Sequence, residues 1–310
     1  MIIHIMPTYL CNNNCEYCYL GELKHSKTII PLQKVINHLQ NISKIYRIEY
    51  INIYGGEITL LPYSYITALI DISYNYCHQI SITSNMKSDN TWKTIKKLQV
   101  AYPGIMFTTS INEERPGNDA LINKLLIERQ QSIGITQVVT PTLLLESPKA
   151  ILTKASMIGK SVEFLRYSPG GGTANWALGI NDFEDFMIKI LDELHSNEYD
   201  IYVKNKEDIE DCLRKTYNPY SNSNLFLEPD GSLSVVSYTD NGNEHFKKVN
   251  NFEEVERLTK AEKNMTHIKC DNCPYLDHCY AEHIKFTERG GCCGCRRLLN
   301  YYEKNLYKNN

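Results

Sequence analysis

No stretch of the sequence is apolar for long enough to cross a membrane; the longest candidates are broken by polar residues within a few positions. No secretory signal pattern opens it, since Ile2-Ile3-His4-Ile5-Met6 reads as a short buried strand stopped by Pro7. Positive charge is not in excess: 33 Lys and Arg stand against 36 Asp and Glu, a net charge of -3, which leaves no basic footprint for nucleic acid. The run Pro169-Gly170-Gly171-Gly172 lacks the Lys-Ser or Lys-Thr of a phosphate-binding loop, so it reads as a loop that touches substrate or as a plain linker. Cysteine, by contrast, is plentiful at 11 residues. In a small secreted protein that number would suggest disulfides, but in a chain of 310 residues with clustered cysteines it points to metal in a reducing cytoplasm. The 22 tyrosines fit an AT-rich coding sequence and carry no functional weight.

The densest cysteine group is Cys11-Asn12-Asn13-Asn14-Cys15-Glu16-Tyr17-Cys18. Soft sulfur ligands suit iron–sulfur clusters and zinc above other metals. Structural zinc closes four positions, and no fourth ligand follows before Tyr19-Leu20. The run therefore reads as the holder of a [4Fe–4S] cluster with one iron left open.

Hydrophobic periodicity predicts alternating elements along the chain. After Pro31, Val35, Ile36, Leu39 and Ile42 recur at helical spacing, giving a helix over 31–45. Strands are expected at Ile48–Tyr54, Ile80–Ile82, Ile105–Ser110, Ile135–Val139 and Val162–Tyr167, with helices over 63–76, 90–100, 118–132, 147–157 and 181–196 between and after them. Such alternation implies a parallel sheet with helices outside it, and six units are too few to close an eight-stranded barrel. Beyond residue 225, Leu225-Phe226-Leu227, Pro229-Asp230-Gly231 and Leu233-Ser234-Val235-Val236 form a hairpin pattern, followed by a helix over 251–263 and a last helix bearing Leu298, Leu299 and Tyr302. Parallel sheets carry their sites at the carboxyl ends of strands, where the cysteine run, Tyr54-Gly55-Gly56-Glu57 and Thr83-Ser84-Asn85 all fall.

Those three motifs, in that order and with Tyr17 at the aromatic position, resemble the radical S-adenosylmethionine (SAM) enzymes. The resemblance implies an α/β fold: a partial (β/α)6 TIM-like barrel over 1–205, a linker helix over 206–223, and a small C-terminal auxiliary-cluster domain over 224–310. It implies a cluster on Cys11, Cys15 and Cys18 whose open iron takes the amino and carboxylate groups of SAM. Gly55 and Gly56 would let backbone approach the methionine end, Glu57 would support that loop, and Ser84, Asn85, Ser110 and Asn112 would hydrogen-bond the carboxylate or ribose. The implied activity is reductive cleavage of SAM to a 5′-deoxyadenosyl radical that abstracts hydrogen from an unactivated carbon, with an external flavodoxin- or ferredoxin-like electron donor.

The later cysteines, Cys270-x2-Cys273-x5-Cys279 and then Cys292, Cys293 and Cys295, together with the Pro-Asp-Gly turn, resemble the SPASM and twitch extensions of peptide-modifying radical SAM enzymes. Two ligand positions of the full SPASM pattern are missing: Val235-Val236-Ser237 holds no cysteine, and His283 stands where the pattern has its next one. One auxiliary [4Fe–4S] cluster is expected, on Cys270, Cys273, Cys279 and Cys292, with Cys293 or Cys295 as alternatives for the fourth ligand. Zinc on Cys270, Cys273, Cys279 and His283 is the competing reading. Cys77 and Cys212 lie on helices and read as packed thiols, with Cys212 the candidate hydrogen-atom donor if either is one.

The function implied is maturation of a ribosomally made peptide by crosslinking, thioether formation or epimerisation. A leader would be bound by the barrel, by the C-terminal region or by a separate protein. The alternatives are a radical SAM enzyme acting on a small metabolite, and a non-catalytic iron–sulfur or zinc protein.

Overall fold

The computed structural model describes residues 1–128, 133–167, 178–216, 224–236, 246–264, 273–275, 278 and 296–307. Within them a strand–helix pair recurs: β1 (Ile2–Ile5) and α1 (Leu32–Ser43), β2 (Tyr50–Ile53) and α2 (Tyr63–Tyr74), β3 (Ile80–Thr83) and α3 (Asp89–Ala101). It continues with β4 (Met106–Ser110) and α4 (Asn118–Glu128), β5 (Ile133–Val139) and α5 (Pro148–Ile158), β6 (Ser161–Arg166) and α6 (Ile180–Ser196). A short β7 (Tyr202–Val203) and α7 (Lys204–Leu213) follow, then β8 (Asn224–Leu227), β9 (Leu233–Val236), β10 (Phe246–Val249), α8 (Phe252–Asn264) and α9 (Arg296–Asn305). One sheet contains every strand of the described residues, in the order β10-β9-β8-β1-β2-β3-β4-β5-β6-β7. Pairing is parallel from β8 through β7 and antiparallel only in the β8-β9-β10 meander. The fold is thus α/β, with a sheet that stays open between the β7 and β10 edges.

Register explains why the sheet has two unlike faces. Side chains alternate across a strand, and the pairing aligns Ile5, Ile53, Ile82, Phe107 and Ile133 in one row across five strands. That row is buried and packs against the helices: α1 through Val35, Leu39 and Ile42, and α2 through Ile66, Leu69 and Ile70. Each such side chain contributes about 2 kcal/mol on leaving water. The neighbouring row is polar: His4 is paired with Asn52 and Asn52 with Ser81, and Ser81 Oγ donates to Asn52 Oδ1 at 2.9 Å. One register step further Thr83 and Thr108 join their hydroxyls at 2.7 Å. The helix face holds the fold together, and the other face is left to chemistry.

Local sequence sets the helix starts. Ser88 Oγ accepts from Thr91 N–H at 3.1 Å and Ser147 Oγ from Ala150 N–H at 3.2 Å, each satisfying a first-turn donor of its helix. The Pro-Asp-Gly turn forms as expected: Gly231 takes φ +82°, its N–H donates to Glu228 O at 2.8 Å, and Asp230 Oδ1 accepts from Ser232 N–H at 2.9 Å. The hairpin does not stand apart. Leu225 and Leu227 of β8 align with Ile3 and Ile5 of β1 and extend the same apolar face.

Most expected elements shift by one to three residues at an end, and one short strand is new. β2 is shorter at both ends than Ile48–Tyr54, β5 begins at Ile133, and β7 was not anticipated because two residues beside Asp200 and Lys204 carry no periodicity. α9 docks on α6 and α7 through buried Leu298, Leu299 and Tyr302. Leu298 N–H donates to Glu184 at 3.0 Å, Tyr301 OH to Asp192 at 2.6 Å and Tyr302 OH to Glu210 at 2.7 Å. The end of the expected helix over 118–132, the run Pro169–Gly172, and Cys270, Cys279, His283, Cys292, Cys293 and Cys295 lie outside the described residues. Among the described residues, no helix is long and apolar enough to cross a membrane.

Candidate functional site

The carboxyl ends of β2 to β6 and the loop after β1 line one cavity of about 270 Å³. Cys11, Cys15 and Cys18 form one wall of it, each half-buried, and Tyr17 sits beside Cys15 and Ser110. Beneath the cysteine loop Met6, Tyr9, Leu20 and Phe226 make a small second core, against which Cys18, Tyr19 and Tyr54 pack. A wider cleft of about 730 Å³ opens between α6, β7 and α7, but neither a thiol nor any of the strand-end motifs lines it.

Gly55 and Gly56 border the cavity, and what their missing side chains leave room for is the chain itself. A Cβ on Gly56 would lie 2.2 Å from Leu10 O and 2.4 Å from Tyr9 O; one on Gly55, whose φ is +135°, would lie 2.7 Å from Thr8 O. The close approach lets Gly56 N–H donate to Thr8 O at 2.8 Å and Glu57 N–H to Leu10 O at 2.7 Å, tying the end of β2 to the stem of the cysteine loop.

Glu57 is fully buried behind the cavity. Its Oε1 accepts from Thr59 N–H at 3.0 Å, Thr59 Oγ1 at 2.6 Å and Ser84 Oγ at 2.8 Å, and its Oε2 from Asn85 N–H at 2.6 Å. A carboxylate that fastens two strand ends in this way supports the site from behind, and Glu57 itself does not line the cavity. Ser84 and Asn85 do reach the cavity, and Asn85 Nδ2 donates to Asn12 Oδ1 at 2.7 Å and approaches Cys11 Sγ at 3.7 Å.

Asn112 does not line the cavity: its Nδ2 donates to Val138 O at 2.7 Å and its Oδ1 accepts from Val138 N–H at 3.1 Å, so its amide is spent joining the ends of β4 and β5. Cys212 is buried in the helix layer on α7 and also lies away from the cavity. Cys273 is half-buried and packs against the main core.

Arg115 was not legible in the sequence. It is 3 % exposed and lines the cavity, where Nη1 donates to Ser110 Oγ at 3.4 Å and to Thr109 Oγ1 at 3.5 Å, and Nη2 to Asn85 O. Each of these partners is neutral, and among the described residues no carboxylate pairs with it. A buried guanidinium left so is costly unless an anion joins it. The only signal was a lone Arg before the Pro116-Gly117 turn at a strand end. Burial pushes all three thiols up, Cys18 to about 11, and Arg115 opposes that rise at Cys15 and Cys11. They therefore need a nearby cation, such as bound iron, to ionise.

Residues 5–136 match the family model described as the radical SAM superfamily. Among solved structures, anSMEcpe with bound AdoMet and Kp18Cys peptide is similar over 100% of this chain and 99% of its own, with a TM-score of 0.70 and 14% identity. Streptococcus suis SuiB bound to precursor peptide SuiA is similar over 91% of this chain and 71% of its own, with a TM-score of 0.64 and 14% identity. At this identity the likeness is one of fold. No curated protein matches the sequence.

The family's cofactors are a [4Fe–4S] cluster and SAM, and the residues present fit them. Three thiols, a guanidinium with no carboxylate partner among the described residues, two glycines and hydroxyl-bearing strand ends line the same cavity. Among the described residues, no three His, Cys, Asp or Glu side chains converge as ligands of one metal ion must. A cluster, whose thiolates each hold a different iron, does not require that convergence.

Proposed function

We propose that the chain is a peptide-modifying radical SAM enzyme, with the cluster held by Cys11, Cys15 and Cys18 and SAM in the cavity beside them. The observation that carries the reading is the buried, anion-seeking Arg115 lining the same strand-end cavity as the three thiols. When bound, the cluster and SAM would supply a 5′-deoxyadenosyl radical, on an electron from a flavodoxin- or ferredoxin-like donor. The protein's own part is to bind, orient and exclude water. Arg115 offers a fork for the SAM carboxylate, Ser110 and Asn85 offer hydrogen bonds, Ser84 holds Glu57 in place beside them, and Tyr17 and Tyr54 line the same cavity. Glu57 and Asn112 act at one remove, by holding the strand ends that carry these groups.

A peptide substrate is favoured because anSMEcpe and SuiB, which share the fold, have been captured with peptides. The bond changed would be a crosslink, a thioether or a stereocentre, and a separate protein would present any leader the barrel does not bind. An auxiliary [4Fe–4S] cluster on Cys270, Cys273, Cys279 and Cys292 completes the proposal, and a reducing cytoplasm suits both clusters.

Incubating the reduced, reconstituted protein with SAM and the peptide encoded beside it tests the substrate class: a changed peptide mass supports it, and an unchanged mass alongside SAM cleavage points to a small metabolite. Iron and sulfide analysis of the triple Cys11, Cys15, Cys18 to Ala variant tests the auxiliary site. Residual iron with sulfide supports it, and zinc in their place overturns it.

A further inference from the structure

Asn13 lies between the first two thiols of the cysteine run, borders the cavity, and is 6% exposed. The orientation of its amide is fixed by chemistry. One end takes the main-chain N–H of Asn14 at 3.1 Å and the Lys87 ammonium at 3.2 Å. Both are donors that cannot accept, so that end is the carbonyl oxygen and the other is the NH2 group. Nδ2 is buried and has no hydrogen-bond partner among the described residues. An amide donor left so costs about 1–3 kcal/mol, which an apolar side chain at this position would not incur.

Nδ2 has almost no contact with solvent, so bulk water does not satisfy it. Its acceptor must come from the cysteine loop or from what that loop grips. Neutral thiols accept weakly, whereas metal-bound thiolates and sulfides carry charge and accept well. We infer that the Asn13 Nδ2–H group donates to a sulfur of the cluster gripped by Cys11, Cys15 and Cys18, and thereby raises that cluster's reduction potential. The inference rests on the cluster reading above. A donor to cluster sulfur stabilises the added electron, since hydrogen bonds to the sulfurs are among the determinants of cluster potential. Asn13 is on this account a positioning and tuning residue, and Lys87 holds its carbonyl so that the donor end faces the sulfurs.

The test is an EPR-monitored redox titration of the anaerobically reconstituted full chain without SAM, following the signal that Cys15→Ala removes. Asn13→Leu keeps the volume and adds no charge. It should lower the reduced-to-oxidised ratio at a fixed potential about tenfold, a midpoint shift of about 59 mV for a one-electron couple. Asn13→Ser, which keeps an acceptor for Asn14 N–H and drops the amide donor, should shift in the same direction. Unchanged midpoints with the cluster intact would overturn the inference, as would a shift seen only with SAM present. Loss of iron from both variants would also overturn it, because a tuning donor is not a ligand. A wild-type chain that assembles no such cluster would overturn the cluster reading itself.

Discussion

Replacing Gly56 by Ala should disable the site through the backbone. The new Cβ would stand 2.2 Å from Leu10 O, 2.4 Å from Tyr9 O and 2.5 Å from Tyr9 C, all main-chain atoms with no rotamer to escape into. Restoring an ordinary contact of about 3.4 Å means parting the two loops by roughly 1 Å. That would stretch the 2.8 Å bond from Gly56 N–H to Thr8 O and the 2.7 Å bond from Glu57 N–H to Leu10 O beyond useful length. Two hydrogen bonds at about 1 kcal/mol each, with about 1–3 kcal/mol of overpacking, give a loss of roughly 3–5 kcal/mol. The displaced stem is the one that presents Cys11, so iron uptake should fall with stability. Urea unfolding and iron per chain after anaerobic reconstitution measure both. Gly104→Ala is the control, since its Cβ would meet only Tyr74 OH at 3.5 Å, and should change stability by less than about 0.5 kcal/mol. A Gly56→Ala variant as stable and as iron-rich as Gly104→Ala would refute the reasoning.

Three further perturbations follow from two groups on the inner face of the sheet and one in the loop after β4. His4 stacks on Phe226 at 4.4 Å, and burial, only partly offset by its bond to Asn224, lowers its pKa to about 4. The unfolded chain takes up that proton near 6.5, so stability should fall by up to about 3 kcal/mol as pH drops from 7 to 4; His4→Phe should flatten that part of the curve in pH-dependent urea melts. Glu163, also facing inward, behaves oppositely: burial and then Asp208 raise its carboxyl to about 7. Folding therefore favours its protonated form, and stability should decline as pH rises from about 4.5 through 7; Glu163→Gln should gain up to about 3 kcal/mol at pH 8 and nothing at pH 4. Arg115→Leu should weaken SAM binding about tenfold or more, the worth of a charge-assisted bond, with Arg115→Lys intermediate; calorimetric titration of the cluster-loaded protein reads it, and unchanged affinity would remove Arg115 from the site.

Most of what the sequence made legible was periodic or local. The isoleucines of β1, β2 and β3 alternate with polar residues because only one face meets the helices, and that pattern is visible without coordinates. The Pro-Asp-Gly turn was equally plain, since Gly231 must take a positive φ. What stayed hidden depended on partners distant in sequence. β8 lies beside β1 across more than two hundred residues, and nothing in Leu225-Phe226-Leu227 names its neighbour. Asn112 looked like a ligand-facing strand end, yet its amide closes on Val138. Gly55 and Gly56 were expected to make way for SAM, and the atoms they make way for are those of the cysteine-loop stem. Arg115 carries no motif, and only its burial among neutral oxygens marks it.

The central claim is that three thiols at the end of β1 support cleavage of SAM. Its most direct test is 5′-deoxyadenosine, quantified by mass spectrometry, after the reconstituted chain is reduced anaerobically with SAM. The wild-type protein should form it, and Cys11→Ala, Cys15→Ala and Cys18→Ala should each form none while keeping their fold. A cluster-loaded wild type that leaves SAM intact, or a variant that cleaves it as well as wild type does, would contradict the account.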